Sequence, residues 1–162
     1  MSVRLGLAGA RHVLDAALEK ADELGLPMNI AVVDGGGHLL AFARQDGAIL
    51  AGVDIATRKA RTAVLMAMTT EQLGKAAAPG GSLRGIEVTN EGLVIFGGGI
   101  PLAGAGGAVV GAIGVSAGSV EQDITVAQAG VDAFAASSGP AVRGSPAPRA
   151  DRAVRREVEE GP

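Results

Sequence analysis

The chain has 162 residues, of which 48% are hydrophobic and 19% charged, with a formal net charge of −3; this balance excludes a disordered protein and sets one globular domain as the expectation. It has no cysteine, tryptophan or tyrosine, and its only aromatic residues are Phe42, Phe96 and Phe134. Disulfide and thiolate-metal chemistry are therefore excluded, and neither the stacking platforms nor the basic surplus used for nucleic-acid binding is present.

In chain order, Val3, Leu7, Leu14, Leu18 and Leu24 predict an amphipathic helix from Ser2 to Leu24, stopped by Gly25 and Pro27. Within it, Arg11, His12 and Asp15 interrupt the apolar stretch Leu5 to Ala10 before a secretory core or a membrane span can form, so a soluble cytoplasmic protein without membrane contact is expected. The runs Met28 to Val33 and His38 to Arg44, divided by Asp34 and Gly35 to Gly37, read as a β-hairpin.

A second helix is expected over Ile49 to Met68. A short third one over Thr70 to Ala77 is opened by Thr69 and Gln72 at capping-box spacing. Residues Ser82 to Glu91 carry no clear pattern. The runs Leu93 to Phe96 and Ile100 to Leu102 are read as extended and paired with Ala108 to Ser116 in a second hairpin. A last helix, capped by Ser119 and Gln122, runs to about Ala136.

Residues 1–136 are thus expected to form the domain, and residues 137–162, with Pro140, Pro146, Pro148 and mixed charges, a disordered tail. The order helix, hairpin, helices, hairpin, helix predicts an α+β fold, an α/β sandwich with a mostly antiparallel sheet flanked by helices.

Signatures such as HExxH, a phosphate-binding P-loop and GxGxxG are missing. His12 and His38 are the only histidines. His38, beside a glycine-rich turn, has the chemistry of a metal ligand or of a catalytic acid/base, or is simply an exposed strand end. His12 borders a groove or lies on the helix surface.

Arg58, Lys59 and Arg61 form a basic patch suited to carboxylates, as does Arg44 at the end of the hairpin, unless acids such as Asp54 neutralise the patch within the chain. Glu121 and Asp123 suit the positive end of the last helix. Of the glycine clusters, Gly35 to Gly37 and Gly104 to Gly107 read as turns, whereas Gly97 to Gly99, with Gly98 and Gly99, serves either a turn or close approach of a ligand.

Several segments together carry a resemblance. They are Ala31-Val32-Val33-Asp34-Gly35-Gly36-Gly37-His38-Leu39-Leu40 with Arg44 and Asp46-Gly47-Ala48; Lys59-Ala60-Arg61-Thr62-Ala63; Gly98-Gly99-Ile100-Pro101-Leu102; and Val110-Gly111-Ala112-Ile113-Gly114-Val115-Ser116 before Glu121-Gln122-Asp123. Over residues 3–136 the chain resembles the GlcG/HbpS family, also called the haem-degrading domain family, which includes the C-terminal domain of PduO-type proteins.

The resemblance implies a profilin-like or PAS-like sandwich, homo-oligomers that are often octamers, and haem as the cofactor. It implies haem ligation by a helix histidine, as in PduO-type domains, for which His12 is the candidate, or by a non-histidine residue, as in an HbpS-type member; His38 is the hairpin candidate. Arg44, Lys59 or Arg61 would then pair with propionates, and Gly98 and Gly99 would admit the ligand. Sequestration, sensing or degradation of haem is the function it implies. A small-molecule enzyme or accessory protein acting on a carboxylate or carbonyl metabolite through His38, and a structural oligomer without turnover, are the alternatives.

Overall fold

The computed structural model describes residues 4–137. Helix α1 (Leu7–Leu24) buries Ala10, Val13, Leu14, Ala17 and Ala21, a stripe spaced by three and four residues. It starts later than the pattern suggests, because Gly6 is extended and Leu5 turns into the core. It ends at Gly25, where a φ of 65° lets the Gly25 N–H reach Asp22 O and the Leu26 N–H reach Ala21 O, closing a Schellman motif.

Strands β1 (Asn29–Asp34) and β2 (Leu39–Arg44) form the expected hairpin. Helix α2 (Gly52–Met66) and helix α3 (Thr70–Ala77) follow, and the Thr69–Gln72 capping box at the start of α3 is made in both directions. Strands β3 (Gly99–Ala103) and β4 (Val109–Ser116) complete an all-antiparallel sheet of order β2-β1-β4-β3. Helix α4 (Val120–Ser137) opens with Ser119 and Gln122 exchanging hydrogen bonds. The tail expected over residues 137–162 lies, apart from Ser137, outside the described residues.

The two sheet faces differ in residue size. Ile30, Val32, Ile113 and Val115 point at α1 and α4, whereas Ala31, Val33 and Ala112 point at Ala56, Ala60 and Ala63 of α2. Alternation along a strand produces this division. On the α2 side the helix backbone rests on the sheet at Gly114, where a Cβ would fall 2.0 Å from Ala56 O and 2.5 Å from Ala60 N.

The apolar run Leu93 to Phe96 is not part of the sheet. Leu93 and Val94 are buried, and the Val94 N–H donates to Thr62 Oγ1 of α2 at 3.0 Å. A Cβ at Gly74 of α3 would sit 2.0 Å from Ile95 O. The run is held by helices on both sides, so a side-chain acceptor replaces a strand partner; strand β3 starts only at Gly99.

Replacing Gly114 with Ala should destabilise the domain by about 1–3 kcal/mol, the usual cost of overpacking a close contact. Urea unfolding of the two proteins measures it. An unchanged midpoint would mean that α2 does not rest on the sheet at this position.

Candidate functional site

The β1–β2 turn builds one end of the molecule. The Asp34 N–H donates to His38 O at 2.9 Å, and the Gly37 N–H, at a φ of 81°, donates to Asp34 O at 3.0 Å. The Asp34 side chain stabilises the same loop, because Oδ1 accepts from the N–H groups of Gly36 (2.8 Å) and His38 (3.0 Å). These bonds, with the adjacent imidazole, hold the Asp34 carboxyl below the usual carboxylate range, the His38 N–H contributing most and slight burial opposing it. Asp34 is an anion at neutral pH.

The imidazole of His38 folds back over this turn, with Nδ1 3.3 Å from Asp34 Oδ1 and the side chain 82% exposed. An ionised carboxylate only accepts, so this contact requires Nδ1 to carry the proton, and Nε2 has no hydrogen-bond partner among the described residues. Gly36 makes the arrangement possible through its size. A Cβ there would lie 2.8 Å from His38 Nδ1 and 3.0 Å from Cε1.

His38 and Asp34 line a cleft of about 550 Å³ together with Arg4, Leu5, Val109, Val110 and the backbone of Gly35 and Gly36. The cleft is within the ~300–1,000 Å³ range of small-molecule sites. It combines a free imidazole nitrogen, aliphatic walls and the Arg4 guanidinium, which has no hydrogen-bond or ion-pair partner among the described residues. Sequence reasoning missed Arg4, Leu5, Val109 and Val110, because the chain start and the β4 start meet the hairpin only in the folded state. For Asp34 a signal existed: an Asp four residues before a His across a tight turn.

The other candidates lie elsewhere. His12 is exposed on α1 and does not line this cleft. Arg44, at the end of β2, lines a separate cleft of about 560 Å³ with Asp22, Leu26, Pro27, Gln45 and Asp46. Arg61 donates to Asn90 O at 3.0 Å, and its Cγ packs near Gly37. Arg58 pairs with Asp54 and donates to Glu91 O, so both arginines hold the loop after α3. Among the described residues, no group of three or more His, Asp or Glu side chains is placed to hold a metal ion.

Lys59 leaves the basic patch altogether. Its side chain is fully buried, with Nζ donating to Asp123 Oδ2 at 2.7 Å and to Val115 O at 2.8 Å, 4.8 Å from the centre of the Phe96 ring. Asp123 Oδ1 also accepts from the N–H groups of Ala117 (3.2 Å) and Gly118 (3.0 Å), so each ion has hydrogen bonds beyond the one that joins the pair. Burial pushes Lys59 below the usual lysine range, and Asp123 opposes that shift.

Gly98 and Gly99 serve this packing. A Cβ at Gly98 would lie 2.7 Å from Lys59 Nζ, and one at Gly99 would lie 2.5 Å from Lys59 O. The close approach they permit is to the chain itself.

A family model described as "Haem degrading protein HbpS-like" matches residues 5–132. An uncharacterised 15.0 kDa protein from the dhaT–dhaS intergenic region of Citrobacter freundii is 42% identical over 128 residues, 79% of this chain and 90% of that one. Among solved structures, Klebsiella pneumoniae protein ORFY is 38% identical with a TM-score of 0.79, covering 84% of this chain and 94% of its own. The protein in a PduOC–haem complex is 36% identical with a TM-score of 0.76, covering 81% and 95%.

Truncating either member of the buried pair, as Lys59→Met or Asp123→Ala, should cost about 3–5 kcal/mol because it strands the other charge. The double change Lys59→Met with Asp123→Ala should cost clearly less than the two singles together. Denaturant midpoints for the four proteins form the cycle, and strict additivity would show that the two charges do not interact.

Proposed function

This chain belongs to the HbpS-like family of haem-degrading proteins, and on that premise we propose that it binds haem in the cleft at the β1–β2 turn, with His38 as the axial ligand. The observation that carries this reading is the exposed His38 imidazole, whose Nδ1 is engaged by Asp34 and whose Nε2 is free, at the edge of a cleft of about 550 Å³. The residues fit the group. Leu5, Val109 and Val110 offer aliphatic contact to a porphyrin face, and the Arg4 guanidinium suits a propionate.

Bound haem would supply a redox-active iron, and in a degrading protein the porphyrin would also be the substrate. The chain's own part is to ligate through His38, exclude water with the aliphatic wall and orient the propionate edge with Arg4. His12, the helix candidate, remains the comparison for the ligand assignment. Arg44, Lys59 and Arg61 are less suited to propionates, since Lys59 is buried on Asp123, Arg61 holds the loop at Asn90 and Arg44 lines the other cleft.

We further propose a cytoplasmic homo-oligomer, with the octamer as the family's assembly. No helix among the described residues is long and apolar enough to cross a membrane. Side chains such as Ile49, Leu50 and Val88 present apolar surface that subunit contacts would cover. A single domain over residues 1–136 is the unit of that assembly.

Titration with haemin, followed from the Soret region to the visible, tests the ligand. Saturable one-to-one binding is expected, abolished or spectrally shifted in His38→Ala and retained in His12→Ala. Arg4→Gln should weaken it only a few-fold, as befits an exposed charge pair. Spectra of His38→Ala identical to those of the parent protein would overturn the ligand assignment, and nonsaturating spectra for the parent would overturn haem binding and favour a haem-free acid/base role for His38.

A further inference from the structure

We propose that the outer edge of strand β2 pairs with the β2 edge of a second copy of this chain, antiparallel about a twofold axis at Phe42, so that two four-stranded sheets become one. The inference rests on the homo-oligomer reading and deepens it by naming a surface that joins two copies, together with its register.

The sheet order β2-β1-β4-β3 leaves two edges, and they differ. Strand β3 carries Pro101, and its register with β4 shifts between Leu102 and Ala103. A proline and a bulge both discourage a further strand. Strand β2 has no proline, and its residues from Leu39 to Ala43 carry no charge. Its one irregularity falls at Leu40, beside the turn, and Ala41 to Arg44 pair regularly with β1. Leu40 to Ala43 are only half-buried, whereas β1 is buried as far as Val33. An open apolar edge of this kind is a template for another strand.

The direction of the main-chain groups follows from the ladder. The Gln45 N–H donates to Met28 O. Bonding alternates along an antiparallel strand, so Gln45, Ala43 and Ala41 face β1 while the N–H and C=O of Phe42 and Arg44 face outward.

This edge is complementary to itself. Antiparallel neighbours set side chains of the same sheet face opposite one another, which places a twofold axis at a residue. With the axis at Phe42, the stretch from Leu40 to Arg44 overlaps itself completely. Phe42 then exchanges both main-chain bonds with Phe42 of the second copy, and the two rings, packed on the α2 face, form a cross-strand aromatic pair. Arg44, the one charge of the strand, comes opposite Leu40 of the second copy, beside the turn that carries the Asp34 carboxylate. The two arginines lie at opposite ends of the ladder, whereas an in-register parallel pairing would set them side by side at a cost.

Amide hydrogen exchange of the parent gives the first test. The outward Phe42 and Arg44 N–H groups should be protected as Ala43 is, and should lose that protection on dilution. Phe42→Lys and Phe42→Glu should each lower the sedimenting mass, because the axis sets like charges face to face, and mixing the two variants should restore it, which misfolded chains would not do. The chain has no cysteine, so Phe42→Cys should cross-link two copies on mild oxidation, the Cα spacing of about 5.5 Å in such a pair lying within disulfide range. Ala103→Cys on the β3 edge should not cross-link. An assembled parent with fast exchange at Phe42 and Arg44, or variants that mixing does not rescue, would overturn the edge pairing and leave the homo-oligomer reading standing. A parent that sediments as a monomer would overturn both.

Discussion

Lys59 and Asp123 come from helices on opposite faces of the sheet, and the 2.7 Å bond between them joins α2 to the first turn of α4 at the edge where β3 begins. The Val115 N–H donates to Gly98 O, and the carbonyl of the same residue accepts from Lys59. The ammonium thus takes an acceptor that the sheet ladder leaves open just before the first residue of β3. Burying two charges is costly, and the pair is tolerated only because each finds further hydrogen bonds. Asp123 also accepts from the N–H groups of Ala117 and Gly118, which turn the chain from β4 into α4. The start of β3, the end of β4 and the entry to α4 all depend on this one contact.

The small residues elsewhere follow from the same arrangement. For Lys59 to reach Asp123, α2 must lie close to the sheet, and the stripe of Ala56, Ala60 and Ala63 over Ala31, Ala112 and Gly114 makes that possible. Most of the larger aliphatic residues lie on the other face, where α1 and α4 supply the volume. This division leaves the β1–β2 turn free of packing duties, and its side chains are then available for a ligand. A rigid sheet carrying an exposed, polar, glycine-rich loop is the usual way a site is held without destabilising a core.

The order of elements was legible because periodicity and caps agree: both capping boxes form, and Gly25 ends α1. Leu93 to Phe96 was not, since a short apolar run looks alike whether a sheet or a pair of helices buries it. Lys59 carried a signal that its charge concealed. It lies three residues after Ala56 and four before Ala63, on the buried stripe, and helix spacing outranks residue type when a buried acid is available. The identity of that acid is not a matter of spacing, because Asp123 is 64 residues away and is explained as well by the helix dipole. His38 was recognised as a candidate because histidine is scarce. The cleft beside it was invisible, since Arg4, Val109 and Val110 approach it only through the sheet order β2-β1-β4-β3.

The segment Asp34-Gly35-Gly36-Gly37-His38 shows how a turn and a site share the same atoms. Gly37 is required by its positive φ, and Asp34 by the two N–H groups it accepts; these requirements concern the backbone alone. Once Asp34 is fixed for the turn, its carboxylate already stands where an imidazole at position 38 can reach it, provided position 36 has no side chain. The electrostatic environment of His38 therefore costs the fold little, because the bonds that shape the loop also keep the carboxylate ionised. A second carboxylate brought in for the histidine alone would have needed its own anchoring and would have lost side-chain entropy on ordering. Here the group that orders the turn and the group that orients the imidazole are the same.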